Sequence, residues 1–158
     1  ARQYNLIPPT MEQPQYHMFH RRRVESELAP LFDSYGIGLT TWSPLASGIL
    51  TGKYNEGIPT GSRASLESMA WLKNHITQER IAKVILLEEI AEELGATTAQ
   101  LAIAWLLRRK EVSSVITGAT KLSQLEENIA ARQLVDALDD EMLERIETIL
   151  DNNPLNSD

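Results

Sequence analysis

Trp42-Ser43-Pro44-Leu45-Ala46-Ser47-Gly48, followed shortly by Gly52-Lys53-Tyr54, combines a flat aromatic, a small-residue loop with accessible backbone amides, and a cation. A dinucleotide asks for those things: a ring to stack on and donors for its phosphates. The chemistry these types suit is the binding of a nicotinamide dinucleotide. A second set lies farther along, in Gly118-Ala119-Thr120-Lys121 with Gln124, Glu127 and Asn128. The amides and aligned dipoles of a helix opening there favour an anion. Gln124 and Asn128 fall at i, i+4 spacing, and with Glu127 they present amides and a carboxylate along one helix edge. Gln13 offers both a donor and an acceptor to a carboxamide. Lys53 and Arg63 are the candidate phosphate cations.

Each of these residues also has a plain structural role open to it. Gln13 can satisfy a neighbouring backbone group, and Trp42 can pack in the core. Ser43-Pro44 can be an ordinary turn. Lys53 and Arg63 can be solvated loop cations, Thr120 a simple helix cap, and Gln124, Glu127 and Asn128 a solvated face. Other chemistries find less support. His17 and His20 are three apart with no third ligand beside them, and His75 stands alone, so no metal site is expected. Neither a Gly-x-Ser-x-Gly elbow nor a phosphate-binding Walker loop occurs. Arg21-Arg22-Arg23 reads as a solvated basic run.

The 158 residues are 42% hydrophobic and 23% charged, with a net charge of −7. That suits one domain with a real core and argues against a dedicated nucleic-acid binder, which carries a basic face. No cysteine is present, which excludes disulfides and thiolate metal sites. No apolar run approaches the roughly 20 residues of a membrane span, and no leader is recognised, so a cytoplasmic location is expected. The chain begins at Ala1 rather than Met, and a fragment is the favoured explanation.

Around these residues the pattern reads strand, helix, strand, long loop, two helices, strand, two helices. Thr10 to Gln13 is a short candidate strand. Val24, Leu28, Leu31 and Phe32 fall at helical spacing, ending at Tyr35 with Gly36 as a left-handed stop; Pro30 either kinks that helix or marks a break. Ile37 to Trp42 reads as a buried strand. Residues 47–74 are loop-like, with a short helix around Leu66 to Leu72. Ile81, Val84, Leu87, Ala91 and Leu94 make a helical stripe stopped by Gly95. Thr97 and Gln100 form a capping box for a helix that buries Leu101, Ala104, Trp105 and Leu107. Val112 to Thr117 is the third strand. Thr120 is expected to cap a helix carrying Leu122, Leu125 and Ile129. Asp139 should cap the last helix, with Met142, Leu143, Ile146, Ile149 and Leu150, and the tail after Asn152 is expected to be loose. Alternation of this kind implies parallel βα units, with strands buried on both faces. Three strands fall short of a (β/α)8 barrel, which takes about 250 residues. In such sheets ligands bind at the carboxyl ends of strands, where Gln13, Trp42 to Leu45 and Gly118 to Thr120 all lie.

Together these phrases resemble the C-terminal half of an aldo-keto reductase, in the subgroup that holds the β subunits of voltage-gated potassium channels and their bacterial relatives. The resemblance is carried by Glu12-Gln13-Pro14-Gln15-Tyr16-His17-Met18-Phe19, by Trp42 to Gly48, by Gly52-Lys53-Tyr54 and Ser62-Arg63-Ala64-Ser65, and by Gln100-Leu101-Ala102-Ile103-Ala104-Trp105 and Gly118-Ala119-Thr120. It covers nearly the whole chain. The resemblance implies a (β/α)8 TIM barrel binding NADP(H). Residues 1–158 would be the C-terminal part of that single domain: the sixth to eighth βα units plus the C-terminal helix. Gln13 would hold the nicotinamide carboxamide and Trp42 would stack on its ring. Ser43, Leu45 and Lys53 would approach the pyrophosphate within a cofactor-binding loop that also includes Pro44, Ala46 and Ser47. Arg63, Thr120 and Gln124 would lie near the adenosine 2′-phosphate, Glu127 and Asn128 would contact the adenine, and Gly118 would be a further cofactor-binding residue.

Two departures stand out: Gly61 where the channel subunits tend to carry an aromatic, and Ser47 in place of a common cysteine, which points toward a bacterial-type reductase. The family's Asp, Tyr, Lys and His tetrad lies in the first half of the barrel, and Tyr4, Tyr16, Tyr35 and Tyr54 do not match its tyrosine. The resemblance thus implies cofactor residues without catalytic ones, an inactive isolated chain, and a missing N-terminal half as its first partner. The complete protein would reduce a small aldehyde or ketone. The alternative is a regulatory subunit that passes cofactor state to a potassium channel. Homo-oligomers are open under either reading, and a fragment without function of its own is the third.

Overall fold

The computed structural model describes residues 1–155. Its sheet centres on Gly38–Trp42 (β2), flanked by Met11–Glu12 (β1) and Val112–Ile116 (β3), and both pairings are parallel. Met11 pairs with Gly38 and Glu12 with Leu39. On the other side Leu39 pairs with Val112, and the register then jumps to Thr40 with Ser114 and runs to Trp42 with Ile116. The jump leaves Ser113 as a bulge. Gly38 faces it closely: a Cβ there would lie 2.9 Å from Ser113 Oγ. The first strand is shorter than the Thr10–Gln13 expected, because the chain bends at Pro14. It rejoins the sheet at once, with the Trp42 amide donating to Pro14 O at 3.1 Å and the Tyr16 amide to Trp42 O at 3.3 Å.

The strands are not buried on both faces. Leu39, Thr41 and Val112 are buried, but Met11, Trp42, Ser113, Ser114 and Ile116 are exposed. The alternation along β2 is that of a sheet covered on one side. Three strands and their helices provide too few layers to close both.

Pro30 marks a break. A single π turn, Arg23–Glu27, precedes helix α1 (Ala29–Tyr35), and Pro30 sits in the first turn of α1, where a missing N–H is harmless. Gly36 adopts φ 64° and its amide closes on Phe32 O, as the sequence suggested. The 47–74 stretch is a chain of tight turns: 3₁₀ turns at Ala46–Thr51, Arg63–Ser65 and Glu67–Met69, then a short helix α2 (Ala70–Lys73). The helix expected at Leu66 to Leu72 is thereby split.

Helix α3 (Gln78–Glu93) buries Val84, Leu87, Ile90 and Ala91, with Thr77 capping it through Arg80 N–H. Helix α4 (Thr98–Leu107) begins with the full Thr97–Gln100 capping box and is buried almost all round, from Leu101 to Leu106; Leu107 is only half-buried. Such a helix belongs at the centre of a core, and α4 packs against α3, β3 and the 3₁₀ segment Ala131–Ala137. Two helices remain, α5 (Leu122–Ala130) and α6 (Asp140–Leu150). Helix α6 is capped by Asp139, whose Oδ1 accepts the Met142 amide at 2.9 Å, and it packs on α3.

Helix α5 departs from expectation twice. Thr120 is not its cap; Lys121 holds that position with no side-chain bond. Leu122, Leu125 and Ile129 are 70%, 44% and 66% exposed. Their spacing is helical, but nothing among the described residues covers that face.

A polar knot ties the carboxyl-terminal turn to the segment after β1. Arg22 and Arg23 are exposed as expected of a basic run, but Arg21 is buried. Arg21 Nε donates to both oxygens of Glu25 at 3.1 Å and Nη2 to Oε2 at 2.7 Å, while Nη1 reaches Glu147 at 2.7 Å and Asn152 at 3.1 Å. The Tyr16 hydroxyl donates to Glu25 Oε1 at 2.5 Å, and Asn152 Nδ2 donates to Met18 O at 2.8 Å. Asn152 is therefore anchored. The fully buried Trp105 ring lies 3.9 Å from the Arg108 guanidinium and 5.1 Å from that of Arg21, centroid to carbon. Burial, then the Glu25 charge, pushes the Tyr16 phenol well above its usual range. Burial works against the Arg21 charge, but hydrogen bonds to Glu25 and Glu147 win and raise its pKa. Burial pushes the neighbouring His17 imidazole down to about 3, helped by the charges of His20, Arg80 and His75.

Candidate functional site

Parallel pairing brings the carboxyl ends of all three strands to one rim. Trp42 ends β2 there with 44% of its surface exposed, so its ring is not committed to the core. Beyond it the backbone winds in an unusual way. Ser43 (φ 57°), Ala46 (φ 49°) and Ser47 (φ 58°) all adopt the left-handed region, followed by Gly48 at 95° and Gly52 at 76°. For residues with a Cβ that conformation costs on the order of 1–3 kcal/mol each, and strain of this kind concentrates at functional sites. Pro44 is buried and Leu45 half-buried, pinning the loop from below. The loop is locked by its own bonds: Ala46 N–H to Ser43 O at 3.0 Å, Gly48 N–H to Leu45 O at 2.8 Å and the Thr51 hydroxyl to Gly48 O at 2.8 Å.

Lys53 is exposed. Its ammonium lies 5.1 Å from the ring centroid of Tyr54 and occupies the space where a side chain on Gly48 would stand, 2.5 Å from the Cβ that glycine lacks. Tyr54 itself is buried, and its hydroxyl has no hydrogen-bond partner among the described residues.

At the end of β3, Gly118 and Thr120 are exposed. Gln124 folds back so that its Oε1 accepts the Thr120 amide at 2.9 Å and the Thr120 hydroxyl at 3.2 Å. The Thr120 amide is thus engaged within the chain, and Gln124 is left with its NH₂ as a donor. Glu127 is held from α4: the Thr97 hydroxyl donates to its Oε1 at 2.5 Å and Gln100 Nε2 to its carbonyl at 3.3 Å. Asn128, next to it, is half-buried. Gln13 is exposed between β1 and the bridge at Gln15. Arg63 heads its 3₁₀ turn, exposed; among the described residues no hydrogen bond or ion pair joins it to Thr120, Gln124, Glu127 or Asn128.

Sequence reasoning missed the second role of Thr97 and Gln100, which hold Glu127 as well as capping α4. The capping box was visible, but its cross-helix partner lies 30 residues away. Tyr54 was also missed as the platform under Lys53, although adjacency in the sequence hinted at it. Among the described residues no group of three or more His, Cys, Asp or Glu could hold a metal ion. No described helix is long and apolar enough to cross a membrane.

A parallel sheet crossed by helices, with ligand-type side chains gathered at one carboxyl rim, defines an α/β protein compatible with part of a (β/α)8 barrel. The family model described as "Aldo/keto reductase family" matches residues 1–151, and the chain belongs to that family. It is 50% identical over 156 residues to a probable voltage-gated potassium channel subunit beta of Arabidopsis thaliana, in an alignment covering 98% of this chain and 48% of the relative. A protein of the same description from Oryza sativa subsp. japonica is 49% identical over 156 residues, with the same coverage. The chain spans about half the length of the curated relatives it matches.

Proposed function

We propose that residues 1–158 are the C-terminal part of one aldo-keto reductase barrel domain, its sixth to eighth βα units and C-terminal helix. The complete protein, in this reading, is a cytoplasmic NADP(H)-dependent reductase of aldehydes or ketones. The observation that carries the reading is the convergence of Gln13, an uncommitted Trp42 and the Gly118–Thr120 turn on one rim of three adjacent parallel strands.

The residues present suit a phosphorylated dinucleotide. Trp42 supplies an open aromatic face, the wound 43–48 loop a fixed backbone, and Gly48 a gap occupied by a cation. Gln13 would hold the carboxamide. Ser43, Leu45 and Lys53 would meet the pyrophosphate, with Pro44, Ala46 and Ser47 shaping the loop. Arg63, Thr120 and the remaining NH₂ of Gln124 would meet the 2′-phosphate, and Asn128 with the remaining oxygen of Glu127 the adenine. When bound, the dinucleotide supplies the hydride. This chain's share is to bind and orient it. Proton delivery would fall to residues outside the chain. Tyr16 is tied to Glu25 with its pKa raised, and Tyr54 is buried, so neither phenol suits a general acid at the rim.

Two measurements test this. Titrating the full-length polypeptide with NADPH should quench tryptophan fluorescence saturably, and Trp42→Leu should weaken binding roughly three- to tenfold. The isolated chain should not oxidise NADPH in the presence of a small aldehyde; steady turnover would overturn the assignment of the acid to missing residues.

A second reading, a subunit that couples cofactor state to a potassium channel, is favoured by the names of both plant relatives. Co-purification of the full-length protein with a channel's cytoplasmic domain would support it, and a clean failure to co-purify would leave the reductase alone.

A further inference from the structure

We infer that Gly48 is a positioning residue for Lys53: the side chain it lacks is what allows the lysine ammonium to rest over Tyr54, ready for the dinucleotide pyrophosphate. The inference builds on the cofactor reading above and adds a residue to it.

Three observations converge. The first is space. A Cβ built on Gly48 would lie 2.5 Å from Lys53 Nζ, 2.7 Å from its Cε and 3.8 Å from Tyr54 Cε2. Ordinary contact between such atoms needs about 3.5–4.0 Å, so a methyl group would push the ammonium away by about 1 Å or more. Lysine is flexible enough to yield. The substitution would therefore displace the charge, and at φ 95° it would add a backbone strain of its own.

The second is fixity. Gly48 stands at φ 95°, with its amide bound to Leu45 O and its carbonyl accepting the Thr51 hydroxyl. The Tyr54 ring is 1% exposed, a rigid platform on the other side. The gap between them is set before any ligand arrives.

The third is charge. Among the described residues, no carboxylate or carbonyl takes a hydrogen bond or ion pair from the Lys53 ammonium, in a chain of net charge −7. Glu56 and Glu88 line the same cavity as Lys53 and Gly52, but neither pairs with the ammonium, and Asn55 Nδ2 binds Glu88 at 3.1 Å. A cation steered onto a glycine and an aromatic face, with no carboxylate or carbonyl partner among the described residues, is placed for an anion from outside.

The test is a double-mutant cycle on the full-length protein, with NADPH as probe and tryptophan fluorescence as readout. Lys53→Met should raise Kd about five- to tenfold, as expected for loss of one charge-assisted contact. Gly48→Ala should do the same. Gly48→Asn should also do so; asparagine tolerates the left-handed backbone better, so this variant serves if alanine impairs folding. Each single variant should flatten the salt dependence of Kd, which a purely structural lesion would not do. Combining Gly48→Asn with Lys53→Met should weaken binding no more than about twofold beyond either alone. Wild-type affinity in Gly48→Asn, or an equal further loss when Gly48→Asn is added to Lys53→Met, overturns the inference while the cofactor reading stands. Wild-type affinity in Lys53→Met does so too. No saturable response in the wild type overturns both.

Discussion

Glu25→Ala should be among the most destabilising substitutions in this chain, and its cost follows from the knot around Arg21. The carboxylate takes three contacts from Arg21, at 3.1, 3.1 and 2.7 Å, and one from the Tyr16 hydroxyl at 2.5 Å. The Arg21 and Glu25 side chains are only 3% and 7% exposed. Removing one member of a buried ion pair costs about 3–5 kcal/mol because the other charge stays buried. Arg21 keeps Glu147 at 2.7 Å and Asn152 at 3.1 Å, which sets its share near the lower bound, about 3 kcal/mol. The orphaned Tyr16 hydroxyl adds about 1 kcal/mol or more, for a total of roughly 4 kcal/mol. Urea unfolding of the full-length protein should show this as a lower midpoint at unchanged slope. Glu25→Gln keeps an acceptor for Tyr16 and should fall between. In a cycle with Tyr16→Phe, the pair should show a coupling of about 1 kcal/mol. A Glu25→Ala cost below about 1 kcal/mol, the range of an exposed ion pair, would refute the reasoning.

Two further outcomes are expected. His17 is neutral in the fold down to a pKa of about 3 against an ordinary 6.5, so between those values the unfolded chain binds the extra proton. Its contribution is present above pH 6.5 and lost as pH falls, with a slope of at most about 1.4 kcal/mol per pH unit; urea midpoints of His17→Gln should depend less steeply on pH from about 6 to about 4 than those of the wild type. Thr97→Ala removes both the α4 cap and the bond to Glu127 and should cost about 1–2 kcal/mol, whereas Thr97→Ser, which keeps the hydroxyl, should stay near wild type in the same assay.

What could be read from the sequence was what short-range signals control. Gly36 and Gly95 stop their helices, Thr97 with Gln100 and Asp139 open theirs, and β2 and β3 fall within a residue of expectation. Failures came where a distant or competing group decided. The Thr120 hydroxyl, expected to cap α5, donates to Gln124 Oε1 instead, and Lys121 stands at the cap position. The Leu122, Leu125 and Ile129 stripe has helical spacing but no neighbour among the described residues to bury it. Tight 3₁₀ turns leave no apolar period, so residues 47–74 read as loop apart from a short helix around Leu66 to Leu72. Arg21 looked like its two neighbours; its i, i+4 spacing to Glu25 was the available clue, whereas its partners Glu147 and Asn152 lie 126 and 131 residues away. For the candidate site, the residue types at the strand ends were legible, but the left-handed winding of Ser43, Ala46 and Ser47 was not, because none of the three is a residue that announces it.

The grip of Asn152 on both Arg21 and the Met18 carbonyl also sets a practical boundary. Trimming the polypeptide back past this asparagine would withdraw a ligand from a guanidinium shut away from solvent. Affinity tags, reporters or fused domains therefore belong beyond Asn152, so that the latch itself stays whole.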